Sequence, residues 1–124
     1  MKYEVNYHDG FFDVKTYGDA ELKVFFDFIK ELIEHKKWKP GSRVLLDHSE
    51  IDASNTTAAD IKVLSERLIS MKNKIKNVKI AIVAPNDLQF GMARMTNAYT
   101  SGNWSANEGI FRSRDEAIAW LNKS

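Results

Sequence analysis

The residues of this chain best equipped for chemistry sit side by side. Asp47 and His48 close a short apolar run, Arg43-Val44-Leu45-Leu46, and a polar stretch from Ser49 to Thr57 follows before the next helical pattern begins. An imidazole beside a carboxylate can move a proton, but acyl transfer also needs a nucleophile and oxyanion donors. The chain has no Gly-x-Ser-x-Gly elbow, no serine partner identifiable for His48 and no cysteine. Catalysis is therefore not the expected role. His8, His35 and His48 are far apart, and none has a second histidine at ligand spacing, so no metal site is expected. Neither Gly-rich phosphate-loop pattern occurs, and no cofactor is expected. Lys72, Lys74, Lys76 and Lys79 form a basic group without interleaved aromatics, which suits a solvated helix end better than a nucleic-acid platform.

Composition sets the frame for these residues. With 124 residues, the chain is long enough to close one hydrophobic core and too short for two, so residues 1–124 are read as one domain. A hydrophobic share of 44%, a charged share of 28% and a net charge of +1 are the balance of a soluble globular protein, not of a nucleic-acid binder. No run approaches the roughly 20 apolar residues of a membrane span, and Met1 to Asn6 lacks the apolar centre of a signal peptide. A cytoplasmic protein is the expectation.

The elements that must position Asp47 and His48 follow from periodicity. Tyr3, Val5 and Tyr7 alternate with polar residues, as do Phe12, Val14 and Thr16 with Phe11, Asp13 and Lys15, and Asp9-Gly10 lies between the two runs. That pattern predicts an antiparallel hairpin over about residues 2–17, forming an edge, with His8 as a solvated turn residue. Asp19 is the expected cap of a helix whose apolar stripe is Leu22, Phe25, Phe26, Ile29, Leu32 and Ile33. Val24 and Phe28 fall off this stripe and, with Trp104, are candidates for self-association into a homodimer. Pro40-Gly41 ends the segment before the strand at Arg43 to His48.

After that strand, Thr57-Ala58-Ala59-Asp60 reads as a capping sequence for a second helix carrying Ile61, Leu64, Leu68, Met71 and Ile75. Lys79 to Ala84 is the most continuous apolar strand, and Pro85-Asn86-Asp87 starts a third helix with Leu88, Met92, Met95 and Tyr99 on one face. Gly91 in that helix suggests a close approach of backbone or ligand. Trp104 lies in a polar loop, either folded back as a lid or exposed. Gly109 to Arg112 makes the last strand, and Ser113 caps a closing helix with Ala117, Ile118, Trp120 and Leu121. Strand, strand, helix and three strand-helix units predict a mixed, mainly parallel five-stranded α/β sheet with four helices. The core is expected to include Phe25, Ile29, Val44, Leu46, Leu64, Ile80, Ile82 and Leu121. Ligands meet such sheets at the carboxyl ends of the strands, which gathers Asp47, His48, Asn55, Thr56, Asn86, Asp87, Arg112 and Arg114 at one edge.

Leu45-Leu46-Asp47, Ile80 to Pro85, Phe90-Gly91-Met92-Ala93-Arg94-Met95 and Ile110 to Leu121 together resemble the SpoIIAA-like group of STAS-related bacterial proteins. The resemblance covers most of the chain from about residue 43 and rests on packing residues. It implies a SpoIIAA-like (STAS-like) fold and a non-enzymatic regulatory or protein-interaction module. In the anti-sigma factor antagonists of the wider group, a serine in an Asp-Ser-Ser-Gly pattern at the start of the helix after the central strand is phosphorylated. Asn55-Thr56-Thr57-Ala58 occupies that place here, which makes Thr56, Thr57 and Asn55 the candidate phospho-acceptor or partner-contact residues. A second alignment, through Asp52-Ala53-Ser54, puts alanine on the acceptor. Asp47, His48, Asn86, Asp87, Phe90, Trp104 and Arg112 complete the candidate ligand or partner surface. The alternative function is a small apolar-ligand carrier of the lipid-binding SEC14-like type, with a pocket near Phe90, Met95, Tyr99 and Trp104.

Overall fold

The computed structural model of the chain describes residues 1–123. Strands β1 (Lys2–His8) and β2 (Phe11–Asp19) pair antiparallel around Asp9 and Gly10. Both turn residues have positive φ, 53° and 81°, the backbone of a primed two-residue turn. The sheet then grows by parallel pairing in chain order, through β3 (Arg43–Asp52) and β4 (Lys79–Val83) to β5 (Asn107–Phe111). The helices are α1 (Leu22–Glu34), α2 (Ala58–Ser70), α3 (Asp87–Thr100) and α4 (Arg114–Leu121), with a 3-10 turn at Lys72–Lys74 following α2. The mixed five-stranded, four-helix α/β architecture is the one expected.

Alternation along the strands divides the core in two. Phe12, Val14 and Val44 pack with Phe28, Ile29 and Leu32 of α1 and Leu64 of α2, while Phe11, Leu45, Ala81 and Val83 pack under Ala117 and Leu121 of α4. Each fully buried leucine, isoleucine or phenylalanine contributes about 1.5–3 kcal/mol of transfer free energy. β2 pairs with β1 on one side and β3 on the other, so within the hairpin β1 alone is the edge, and helices cover both faces of β2. Phe11, Phe12, Asp13, Val14 and Thr16 are all buried, which no simple alternation of residue types announces.

Several local expectations need correction. Asp19 does not cap α1: it still pairs with Asp52 in the sheet, and Glu21 is the N-cap residue, without a side-chain bond. Phe28 is only 1% exposed, packed against Tyr3 and Phe25, because β1 folds over the side of α1 that the helix stripe alone left bare. It is therefore not a self-association surface. The central strand runs four residues past His48, since Glu50, Ile51 and Asp52 pair with Tyr17, Gly18 and Asp19. Helix α3 is turned relative to expectation. Leu88, Met95 and Tyr99 are exposed, and the inward side carries Gln89, Met92, Ala93, Thr96 and Thr100. Gly91 is exposed, and an added Cβ there would meet nothing within 4 Å, so no close approach explains it.

Candidate functional site

A bulge in β3 places His48. Lys15 pairs with Asp47 but Tyr17 with Glu50, so Thr16 alone stands opposite both His48 and Ser49. The extra residue breaks the alternation. Leu46 and His48 line the side of the sheet that faces α1, α2 and α3, and so do Ile51 and Ala53 beyond the bulge. The His48 Nδ1 lies 2.7 Å from the Thr16 Oγ1, and the ring meets Phe25 edge to face with centroids 5.6 Å apart. Burial pushes the imidazole down to about 4, against a weaker upward pull from Asp47, so the ring is neutral at pH 7. The ring keeps some exposed surface, but it is part of a cavity wall, and burial dominates its charge state.

That cavity, of about 200 Å³, lies between the sheet and helices α1, α2 and α3. Seven of the eight expected core residues line it: Ile29, Val44, Leu64 and Ile82 are buried there, whereas Phe25, Leu46 and Ile80 are only partly buried, and Leu121 is buried on the other face of the sheet. Trp104 folds back and closes part of the wall, while Phe90, Met95 and Tyr99 lie outside it. The pocket therefore exists, but on the inner side of α3. Gln89 anchors that helix, donating to the Ile51 carbonyl at 2.9 Å and accepting from the Asn86 N–H at 3.2 Å.

Asp47 points to the opposite face. Arg114, at the start of α4, donates to Asp47 at 3.1 Å and grips both oxygens of Asp13, while Ser49 donates its N–H and hydroxyl to Asp47. The His8 Nε2 reaches Asp13 at 2.9 Å, so His8 is a partner in this cluster as well as a half-exposed turn residue. Burial pushes the Asp13 carboxyl up, but the bonds from Arg114 and His8 outweigh it and hold it below the usual value. The hydrogen bond of His8 to Asp13, and next its 3.0 Å bond to Asp9, push the His8 imidazole up.

The remaining candidate residues separate into distinct places. Thr57 caps α2 in a capping box, its Oγ1 accepting from the Asp60 N–H at 3.1 Å and the Asp60 carboxylate accepting from the Thr57 N–H at 3.0 Å. Thr56 is half-buried and lines the cavity, whereas Asn55 is exposed. Asn86 caps α3. Asp87 accepts from Arg112 at 2.8 Å on the surface, and that guanidinium lies 4.1 Å from the centroid of the Phe90 ring. Sequence reasoning missed Thr16, Gln89 and Asp13. Asp13 and Thr16 share β2 with Lys15 and Asp19, so polarity alone does not single them out in the sequence. Among the described residues no group of three or more His, Cys, Asp or Glu could hold a metal ion, and no helix is long and apolar enough to cross a membrane.

An N-terminal hairpin, a sheet in chain order and helices split between its faces define a SpoIIAA-like α/β fold. A similar solved structure is that of an uncharacterized protein of the DUF3478 family, with a SpoIIAA-like fold, from Shewanella loihica. It is 18% identical, the alignment covers 97% of this chain and 92% of that one, and the TM-score is 0.59. No family model and no curated protein matches this chain. At that identity the likeness establishes the fold alone, and function has to be argued from the site.

Proposed function

We propose that this protein binds a small apolar molecule without transforming it. The observation that carries this reading is the cavity of about 200 Å³, walled by apolar side chains where a domain interior ordinarily packs solid. At the rate measured for closed apolar voids, leaving such a volume empty would cost up to about 5 kcal/mol. An occupant would remove much of that cost. Mass spectrometry under native conditions, on protein purified without detergent, is expected to show a retained small molecule. Absence of any retained mass, together with no rise in melting temperature at saturating toluene, would refute the reading.

A regulatory interaction module is the second reading. It draws on Val63, Leu88, Met95 and Tyr99, four large apolar side chains exposed on the neighbouring helices α2 and α3. The start of α2, with Asn55, Thr56 and Thr57, would supply the regulated contact, because a phosphate is tolerated at a helix N-terminus and excludes an acidic or apolar partner. Thr56→Asp and Thr56→Ala should then differ in the cytoplasmic proteins they capture. Identical capture by both variants and the parent would sink it.

A further inference from the structure

The polar atoms around the cavity are few, and most are already bonded within the protein. Gln89 is used by Asn86 and Ile51, Glu108 by Asn97 and Thr100, Asp60 by Thr57, and the Thr96 hydroxyl donates to the Met92 carbonyl. Three groups differ. The His48 Nε2, the Thr56 hydroxyl and the Trp104 indole N–H have no hydrogen-bond partner among the described residues; all three belong to side chains of the cavity wall, and the first two lie near the end of β3.

Charge narrows what could meet them. Glu21, Asp60 and Glu108 border the cavity, and no lysine or arginine does. An anionic head group would therefore enter beside carboxylates with nothing to balance it. Thr16 adds a second constraint. Its hydroxyl has one proton to give, to the Asp47 carbonyl at 3.3 Å or to the His48 Nδ1 at 2.7 Å. The first arrangement leaves the Nε2 a bare acceptor and the second makes it an N–H donor. A hydroxyl group both donates and accepts, so it satisfies either form. Size gives the rest: an apolar cavity of about 150 Å³ accommodates benzene, which scales to roughly eight carbon atoms here.

We infer that the ligand is an uncharged alcohol with an apolar body of roughly eight carbons, its hydroxyl bonded to the His48 Nε2. This rests on the binding reading above and specifies its ligand. Medium-chain and aryl-alkyl alcohols fit the space.

The test is a calorimetric titration of the full chain at pH 7 with 1-octanol, octanoate, octylamine and toluene. Octanol is expected to bind about tenfold or more tighter than octanoate, octylamine and toluene, the advantage of one buried hydrogen bond. His48→Phe should abolish its advantage over toluene. If His48→Phe does not fold, the ¹⁵N shift of the His48 Nε2 in the parent protein reads the same contact and is expected to move with octanol and not with toluene. Octanoate or octylamine binding as tightly as octanol overturns the inference. So does octanol binding no tighter than toluene, although the apolar cavity reading then stands. Toluene and octanol both failing to bind overturns the cavity reading itself.

Discussion

Replacing Arg114 by methionine would leave two buried carboxylates close together without the cation that joins them. Asp13 and Asp47 are 5% and 8% exposed, and Arg114 bonds to both. Removing one partner of a buried ion pair costs about 3–5 kcal/mol. The Arg114 side chain keeps 32% of its surface and His8 still reaches Asp13, so the loss at pH 7 should fall near the lower limit, about 3 kcal/mol. The pH dependence is a sharper check. In the parent protein the folded Asp13 carboxyl lies below its ordinary value, because the bonds from Arg114 and His8 outweigh burial. Its contribution is complete above the ordinary aspartate range and is lost as acid carries the pH down through the depressed folded value. In Arg114→Met, burial acts against His8 alone, and the folded carboxyl should rise above its unfolded value. That reverses the slope, so the variant recovers stability as pH falls from 7 toward the unfolded value, and the gap to the parent narrows. Urea unfolding followed by tryptophan fluorescence, at pH 7 and about pH 5, measures both quantities. Adding Asp13→Asn should restore part of the loss. A loss below about 1 kcal/mol, or a gap unchanged by pH, would refute the reasoning.

Two further outcomes follow from the site. Because burial depresses the His48 imidazole from 6.5 to about 4, the unfolded chain binds its proton first. The resulting stability is present above 6.5 and is lost as pH falls toward the folded value, so His48→Gln should flatten that part of the acid limb, and an NMR titration of the parent should place the His48 midpoint near 4. Thr57→Ala should cost about 1 kcal/mol in chemical unfolding, because it removes the α2 cap, whereas Thr56→Ala should lie within about 0.5 kcal/mol of the parent.

The architecture was legible because its signals are local. The Asp9-Gly10 turn, the apolar run at Ile80 to Val83, the helix start at Pro85-Asn86-Asp87 and the capping residues Thr57 and Ser113 each act within a few positions of themselves. Asp47 and His48 were found as the chemical residues for the same reason, but their surroundings were not. Whether they share a site depends on their facing opposite sides of one strand, and the helices that cover those sides come from elsewhere in the chain. Phe28 was misplaced because its cover, Tyr3, is 25 residues away. The inner face of α3 was misread because the apolar stripe there lies outward, and the polar residues Gln89, Thr96 and Thr100 lie inward, where β3, β5 and the helix's own carbonyls satisfy them. A cavity leaves no mark on hydrophobic periodicity. Phe25, Leu46 and Ile80 read as core whether the space beside them is filled or open.

Strand order that matches chain order suits a protein made from one end. Each strand emerging from the ribosome finds its sheet neighbour already synthesised, and α1 and α2 can settle on their face as they appear. The other face must wait. Phe11, Leu45, Ala81 and Val83 are covered by α4, the last helix, which also brings Arg114 to Asp13 and Asp47. For a period on the order of several seconds at ordinary elongation rates, the nascent sheet therefore carries a bare apolar face with two unneutralised carboxylates beside it. Chaperones that hold exposed apolar surface would act on this protein during that interval, and a ribosome stalled before Arg114 would leave a product prone to aggregate.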